Sequence, residues 1–101
     1  MSSVQKMLKQ AQKMQKEMEK TQNQLAEKVF TFSSNGVTAK ARGDFTLAGL
    51  EIDPDLLTEP DAELLQDVIL VSINGALSKA REEMETKLSS ITGGLNMPGM
   101  L

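Results

Sequence analysis

The sequence predicts an α+β fold in the order αβββα: a long N-terminal helix, a three-stranded antiparallel sheet and a long C-terminal helix. Three observations predict it. Apolar residues recur at alternating steps of three and four from Val4 to Leu25. An Asn35-Gly36 pair separates two runs of alternating polar and apolar residues. A second helical period runs from Leu64 to Ile91 and stops at Gly93-Gly94. With 101 residues the chain makes one domain, 1–101, in which 92–101 form a mobile tail.

The first helix is expected from Ser2 to about Lys28. Ser2 and Gln5 have capping-box spacing. The interior of Met, Lys, Gln, Glu, Ala and Leu consists of good helix formers. Val4, Met7, Ala11, Met14, Met18, Thr21 and Leu25 make a heptad seam. Ala and Thr bury little and Met specifies packing poorly, so the seam reads as a face that packs on the chain's other helix.

Lys28 to about Asp53 read as three strands. Asn35-Gly36 suits a two-residue turn whose central positions both have positive φ. It pairs Ser34 with Val37, Phe32 with Ala39 and Phe30 with Ala41. Gly43-Asp44, read as a second two-residue turn, pairs Arg42 with Phe45, Lys40 with Leu47 and Ala39 with Ala48. One face then carries Phe30, Phe32, Val37, Ala39, Ala41, Thr46, Ala48, Leu50 and Ile52, with small residues where a helix can sit close. The other carries Val29, Thr31, Ser33, Thr38, Lys40 and Arg42, together with Phe45 and Leu47.

Asp53-Pro54-Asp55 closes the sheet, with both aspartates read as caps. The second helix is expected to start at Thr58, with Pro60 in its first turn and acids at its positive end. Its apolar stripe is broad to Leu77 and narrow beyond, so the first half should cover the sheet and the second half leave it. Asn74-Gly75 leaves the period unshifted, and Gly75 reads as a point of close packing. Both helices should overhang so small a sheet, and a layer this thin gains by burying Phe45 and Leu47. A homodimer covering those two residues is the expectation.

Composition narrows the function. The chain has no His and no Cys, which removes the usual general base, the strongest nucleophile and any disulfide or thiolate metal site. No glycine-rich phosphate loop follows a strand. Glu82, Glu83 and Glu85 are adjacent on a helix and so do not converge on a metal. The expectations are therefore no enzyme, no catalytic residue, no metal, no cofactor and no small-molecule substrate. No apolar run is long enough to span a membrane and no signal peptide is expected, which points to the cytoplasm.

Net charge is −3, but it is unevenly placed. Residues 1–20 carry five Lys against Glu17 and Glu19, a balance of +3, and residues 21–101 carry six basic against twelve acidic residues, a balance of −6. Lys6, Lys9, Lys13, Lys16 and Lys20 recur at steps of three and four on the side away from the seam. Lys40 and Arg42 make a second basic spot on the open sheet face. Lys79, Arg81 and Lys87 make a third, diluted by neighbouring Glu. Charge pattern alone favours a solvated helix face with Lys13 and Glu17 as an ordinary i,i+4 pair.

The order of several segments adds to this. Gln5-Lys6-Met7-Leu8-Lys9-Gln10-Ala11-Gln12-Lys13-Met14, the Gly43 turn, Leu50-Glu51-Ile52-Asp53-Pro54, Glu63-Leu64-Leu65-Gln66-Asp67 and the tail from Gly93 to Gly99 together resemble the YbaB/EbfC family of bacterial nucleoid-associated proteins over essentially the full length. The resemblance implies a homodimer with projecting helices that binds double-stranded DNA with low sequence specificity and resides on the nucleoid, with effects on nucleoid organisation and gene expression. It turns the reading of the Lys stripe, and of Lys40 and Arg42, towards DNA. A non-catalytic adaptor for a chaperone, ribosomal or repair component, favoured by the acidic remainder and a pI near 4.9, stays open beside it, as does an accessory subunit of an enzyme.

Overall fold

The computed structural model describes residues 2–93. Its elements follow the predicted order: α1 (Ser3–Ala26), β1 (Val29–Ser34), β2 (Val37–Arg42), β3 (Leu47–Ile52), a short 3-10 helix (Pro54–Leu57) and α2 (Ala62–Thr92). Thr92, expected in the tail, is the last residue of α2, and Gly93 is its C-cap. The rest of the expected tail, 94–101, lies outside the described residues.

Ser2 caps α1 as expected, its Oγ accepting the Gln5 N–H at 3.3 Å. The other end of α1 is held from a distance. The turn between β2 and β3 folds onto it, the Asp44 N–H donating to the Ala26 carbonyl at 3.3 Å and the Gly43 N–H to the Lys28 carbonyl at 3.0 Å. The first bond satisfies a carbonyl that the helix end leaves open, and the second continues the β1–β2 pairing past Val29 and Arg42. Gly43 is required there, because a Cβ on it would run into the Leu25 carbonyl.

The first hairpin has the predicted register, with Asn35 at φ 47 and Gly36 at φ 89. The second does not. Phe45 N–H donates to the Arg42 carbonyl at 2.8 Å and Arg42 N–H to the Thr46 carbonyl at 2.7 Å, so the loop holds three residues, with Phe45 in the left-handed region at φ 66. The Asp44 carboxylate directs this choice by accepting both the Thr46 N–H at 3.0 Å and the Thr46 hydroxyl at 2.5 Å. One extra loop residue slips the register once, so Leu47 stands opposite Ala41 and not Lys40. Ala48 then bulges and slips it again, which sets Leu50 opposite Ala39 and Ile52 opposite Val37. Two slips restore the side-chain parity. Leu50 and Ile52 keep their predicted face, while Leu47, caught between the slips, changes sides.

Helix α2 begins later than predicted. Asp61 is its N-cap, accepting the Leu64 N–H at 3.1 Å, and Thr58 instead closes the 3-10 helix, its hydroxyl donating to the Asp55 carbonyl at 2.9 Å. Pro60 accounts for the difference, since it keeps Glu59 out of the helical region and a helix from Thr58 cannot run through. Asp53 is a cap as expected, accepting the Asp55 N–H at 3.0 Å.

The core lies between α2 and the first two strands. Val37, Ala39, Ala41 and Ala76 are fully buried, with Phe32, Ile73 and Leu77 packed around the alanines. Ser72 is buried and its hydroxyl donates to the Val37 carbonyl at 3.0 Å, which pins α2 to β2 without leaving a polar group unpaired. Gly75 faces the Phe32 ring with no room for a Cβ. Phe30, expected under the first half of α2, packs instead with Leu25, Ala80 and Met84, where α1 meets the second half of α2. The described residues extend 72 × 27 × 14 Å.

Candidate nucleic-acid interface

Lys6, Lys9, Lys13, Lys16 and Lys20 are all exposed on α1 and span about 21 Å at 1.5 Å per residue. Their side of the helix follows from the opposite one. Leu25 is buried, and Met14, Met18 and Thr21 are half-buried, so the seam turns towards α2 and the lysines turn away. Two ion pairs are formed among the described residues, Lys28 with Glu83 at 2.6 Å and Lys40 with Glu51 at 3.1 Å. None of the five stripe lysines takes part in either, and the Lys13–Glu17 pair allowed by spacing is not among them. The stripe therefore presents five ammonium groups along one line with no ion pair among the described residues, and with Glu17 and Glu19 on the same helix the segment keeps a balance of +3.

Of the other basic groups, Lys40, Arg42 and Lys79 are engaged within the fold, while Arg81 and Lys87 form no ion pair among the described residues. Lys40 sits on the open sheet face, as expected, but beside Glu51. The Arg42 guanidinium donates to the Thr46 hydroxyl at 3.5 Å and the Leu47 carbonyl at 3.3 Å. Lys79 donates to the Thr31 carbonyl at 2.8 Å and lies 5.6 Å from the Phe32 ring centroid. These groups stand on the sheet and α2, apart from the line of charge on α1.

Six of the fourteen acidic residues lie on the two long helices near the stripe, Glu17 and Glu19 within α1, Glu27 at its C-cap and Glu82, Glu83 and Glu85 on the second half of α2, and the other eight sit elsewhere. Between Arg42 and Lys79 the chain has eight acidic residues and no basic one. The Asp44 carboxyl is held below its ordinary value, first by the hydrogen bond from the Thr46 hydroxyl, then by the Thr46 N–H and the charge of Arg42. The first turns of α2 lie about 35 Å along that helix from its far end, where Ile91 and Met14 line one depression. With a Debye length of about 8 Å at physiological salt, the acidic end does not cancel the field at the stripe.

An apolar patch lies on β3. Helix α2 covers β1 and β2, and Phe45, Leu47 and Leu50 remain 42–49% exposed. Phe45 and Leu47 were singled out in the sequence. Leu50 was assigned to the covered face, and that pattern could not show that α2 stops short of the third strand. Ile73 and Leu77 bring the same flank of α2 towards it, with Leu70 exposed above. Among the described residues no group of His, Cys, Asp or Glu is placed to hold a metal ion, and no helix is long and apolar enough to cross a membrane.

Comparison with known proteins matches residues 1–95 to the model of the YbaB/EbfC DNA-binding family. A nucleoid-associated protein of Clostridium novyi is 46% identical over 100 residues, covering 97% of this chain and 88% of the relative. One from Thermoanaerobacter pseudethanolicus is 40% identical over 100 residues, 97% and 90% of the two chains. One from Clostridium botulinum is 39% identical over 101 residues, 98% and 89%.

Proposed function

The chain belongs to the YbaB/EbfC DNA-binding family, and from that premise we propose that α1 is the element with which it holds DNA. It is a nucleoid-associated DNA-binding protein. The observation that carries the proposal about α1 is the line of five exposed lysines without ion-pair partners on the face turned away from α2.

The stripe suits double-stranded DNA. A duplex carries one charge per about 1.7 Å of axis, so a 21 Å line of ammonium groups meets many phosphates. Flexible lysines meet them without fixed geometry. The stripe has no aromatic residue for stacking on single strands and no Arg for bidentate reading of guanine, so sequence discrimination is low. Lys40 and Arg42 contribute less, because their charges are already engaged on the sheet. The protein acts by binding and not by catalysis, on the nucleoid in the cytoplasm, and it does so as a homodimer joined through the β3 patch.

The test is affinity against salt concentration. Each Lys that meets a phosphate adds about 0.9 to the slope of log K on log salt. Replacing Lys9, Lys13 and Lys16 together with Gln is expected to flatten that slope by roughly two units or more and to weaken all sequences alike. An unchanged slope in a folded variant moves the interface away from α1.

A further inference from the structure

A cavity of about 270 Å³ opens where the 3-10 helix meets the start of α2. Its floor is apolar, with Val68 buried, Leu56 and Leu65 half-buried and Leu64 55% exposed. Asp55, Glu59 and Asp61 stand on its rim. Asp61 caps α2, while no side-chain hydrogen bond or ion pair engages the carboxylates of Asp55 and Glu59 among the described residues.

The opposite end of the molecule has the complementary character. The first turns of α1 expose Val4, Met7 and Leu8 at 59–71%, and Lys6 and Lys9 lie among them. They also form the positive end of the helix dipole. An apolar floor with an acidic rim fits an apolar helix tip with basic flanks. Floor and tip each leave apolar surface in water, and their contact removes it.

The tip cannot reach the cavity of its own chain. Helix α2 runs about 35 Å from Val68 to Ile91, and α1 carries Met7 about 10 Å further on past Met14, which lies beside Ile91. We propose that the cavity receives the first turns of α1 from a second copy. This contact is distinct from the β3 patch, because Val68 and Leu77 lie on opposite sides of α2 by its 3.6-residue period. It joins two different surfaces, so it runs head to tail and does not close on itself. Added to a dimer contact on β3, it links dimers into a chain in which Lys6 and Lys9 exchange DNA for the acidic rim, while Lys13, Lys16 and Lys20 stay outside the contact and face DNA. The assembly itself needs no DNA, so its failure and a failure of the DNA reading are separate results.

The chain contains no Cys, which makes single-cysteine cross-linking clean. Full-length Met7→Cys and Leu64→Cys proteins are mixed at low salt and oxidised, with Asn23→Cys on the exposed side of α1 in place of Met7→Cys as control. The expected result is a Met7→Cys to Leu64→Cys cross-link that is lost at about 1 M salt, where the Debye length is about 3 Å. Asp55→Lys with Glu59→Lys in the cavity copy is expected to abolish it, and Lys6→Glu with Lys9→Glu in the tip copy to restore it. Cross-linking no faster than the control, or indifferent to both charge reversals, overturns the proposal. Sedimentation of the unmodified protein keeps the test open if a variant misfolds. Species larger than a dimer that grow with concentration at low salt are expected, and a single dimer-sized boundary at all concentrations overturns the proposal as well.

Discussion

Gly75 is the residue in the interior of α2 with the poorest helix propensity. Alanine there gains about 1 kcal/mol of helix propensity, but its Cβ overlaps the Phe32 ring, and forcing such a contact costs about 1–3 kcal/mol. The clash outweighs the gain. Gly75→Ala is expected to lower the melting temperature in the natural background and to raise it in a Phe32→Ala background, where the ring is gone. The same sign in both backgrounds would show that the ring does not set this position. Asp44 is constrained by hydrogen bonds and not by volume. Its folded pKa lies below the unfolded one because the ionised form accepts from Thr46. A depressed carboxyl pKa gives stability that is present above the unfolded value, near 3.9, and lost as pH falls through the folded one. Asp44→Asn is therefore expected to flatten the loss of stability with acidification below about pH 4. An acid limb identical to that of the natural protein sinks this account of the turn.

At the scale of elements, the joint between α1 and the sheet is a backbone contact. The Asp44 amide of the β2–β3 turn bonds to the last carbonyl of α1, and Gly43 lets the two backbones meet. A methyl group at Gly43 must push the turn off the helix, at a cost at least of the order of 1–3 kcal/mol for overpacking. Gly43→Ala is expected to speed hydrogen exchange in the last turn of α1 while the amides of the β1–β2 hairpin stay protected, since that hairpin has its own turn at Asn35-Gly36. Equal loss of protection in both would mean that Gly43 supports the whole sheet and not the joint. The joint also ties α1 to the loop that carries Phe45. Phe45 holds a positive φ that costs about 1–3 kcal/mol, in a loop whose side chain is half exposed.

At the scale of the molecule, the two sheet edges are treated differently. On β1 the Lys79 ammonium occupies the Thr31 carbonyl, and a charge on an edge discourages strand pairing. On β3 the Arg42 guanidinium donates to the Leu47 carbonyl and Glu51 carries an exposed charge, but Phe45, Leu47 and Leu50 still leave apolar surface beside the strand. A domain this thin gains by covering it. Sedimentation at micromolar concentration in about 1 M salt, where contacts that rest on charge are screened, is expected to give twice the 11.0 kDa chain mass, and Leu50→Asp to give the monomer with its helices intact. Dimers that persist in Leu50→Asp would move the interface elsewhere. Loss of the dimer should also weaken DNA binding, because two arms on one duplex raise the effective concentration of the second.

Local chemistry was enough to read most of this protein from its sequence. Ser2 and Gln5 set the start of α1, Asn35-Gly36 set the first hairpin, and the spacing of apolar residues set both helices, because each depends on neighbours within a few positions. The lysine stripe was legible for the same reason, since steps of three and four on a helix fix a common face. Tertiary structure decided what depends on distant partners. Gly43-Asp44 could turn in two residues or three, and the hydrogen bonds of Asp44 with Thr46, with the end of α1 against Gly43, selected three. That choice moved Leu47 to the other face, while a second slip at Ala48 returned Leu50 and Ile52 to the face already read for them. The reach of α2 over two strands and not three was likewise hidden. Hydrophobic period shows which face of an element is buried, but the width of what covers it is set by where the helix docks, here by Ser72 on Val37 and Gly75 on Phe32.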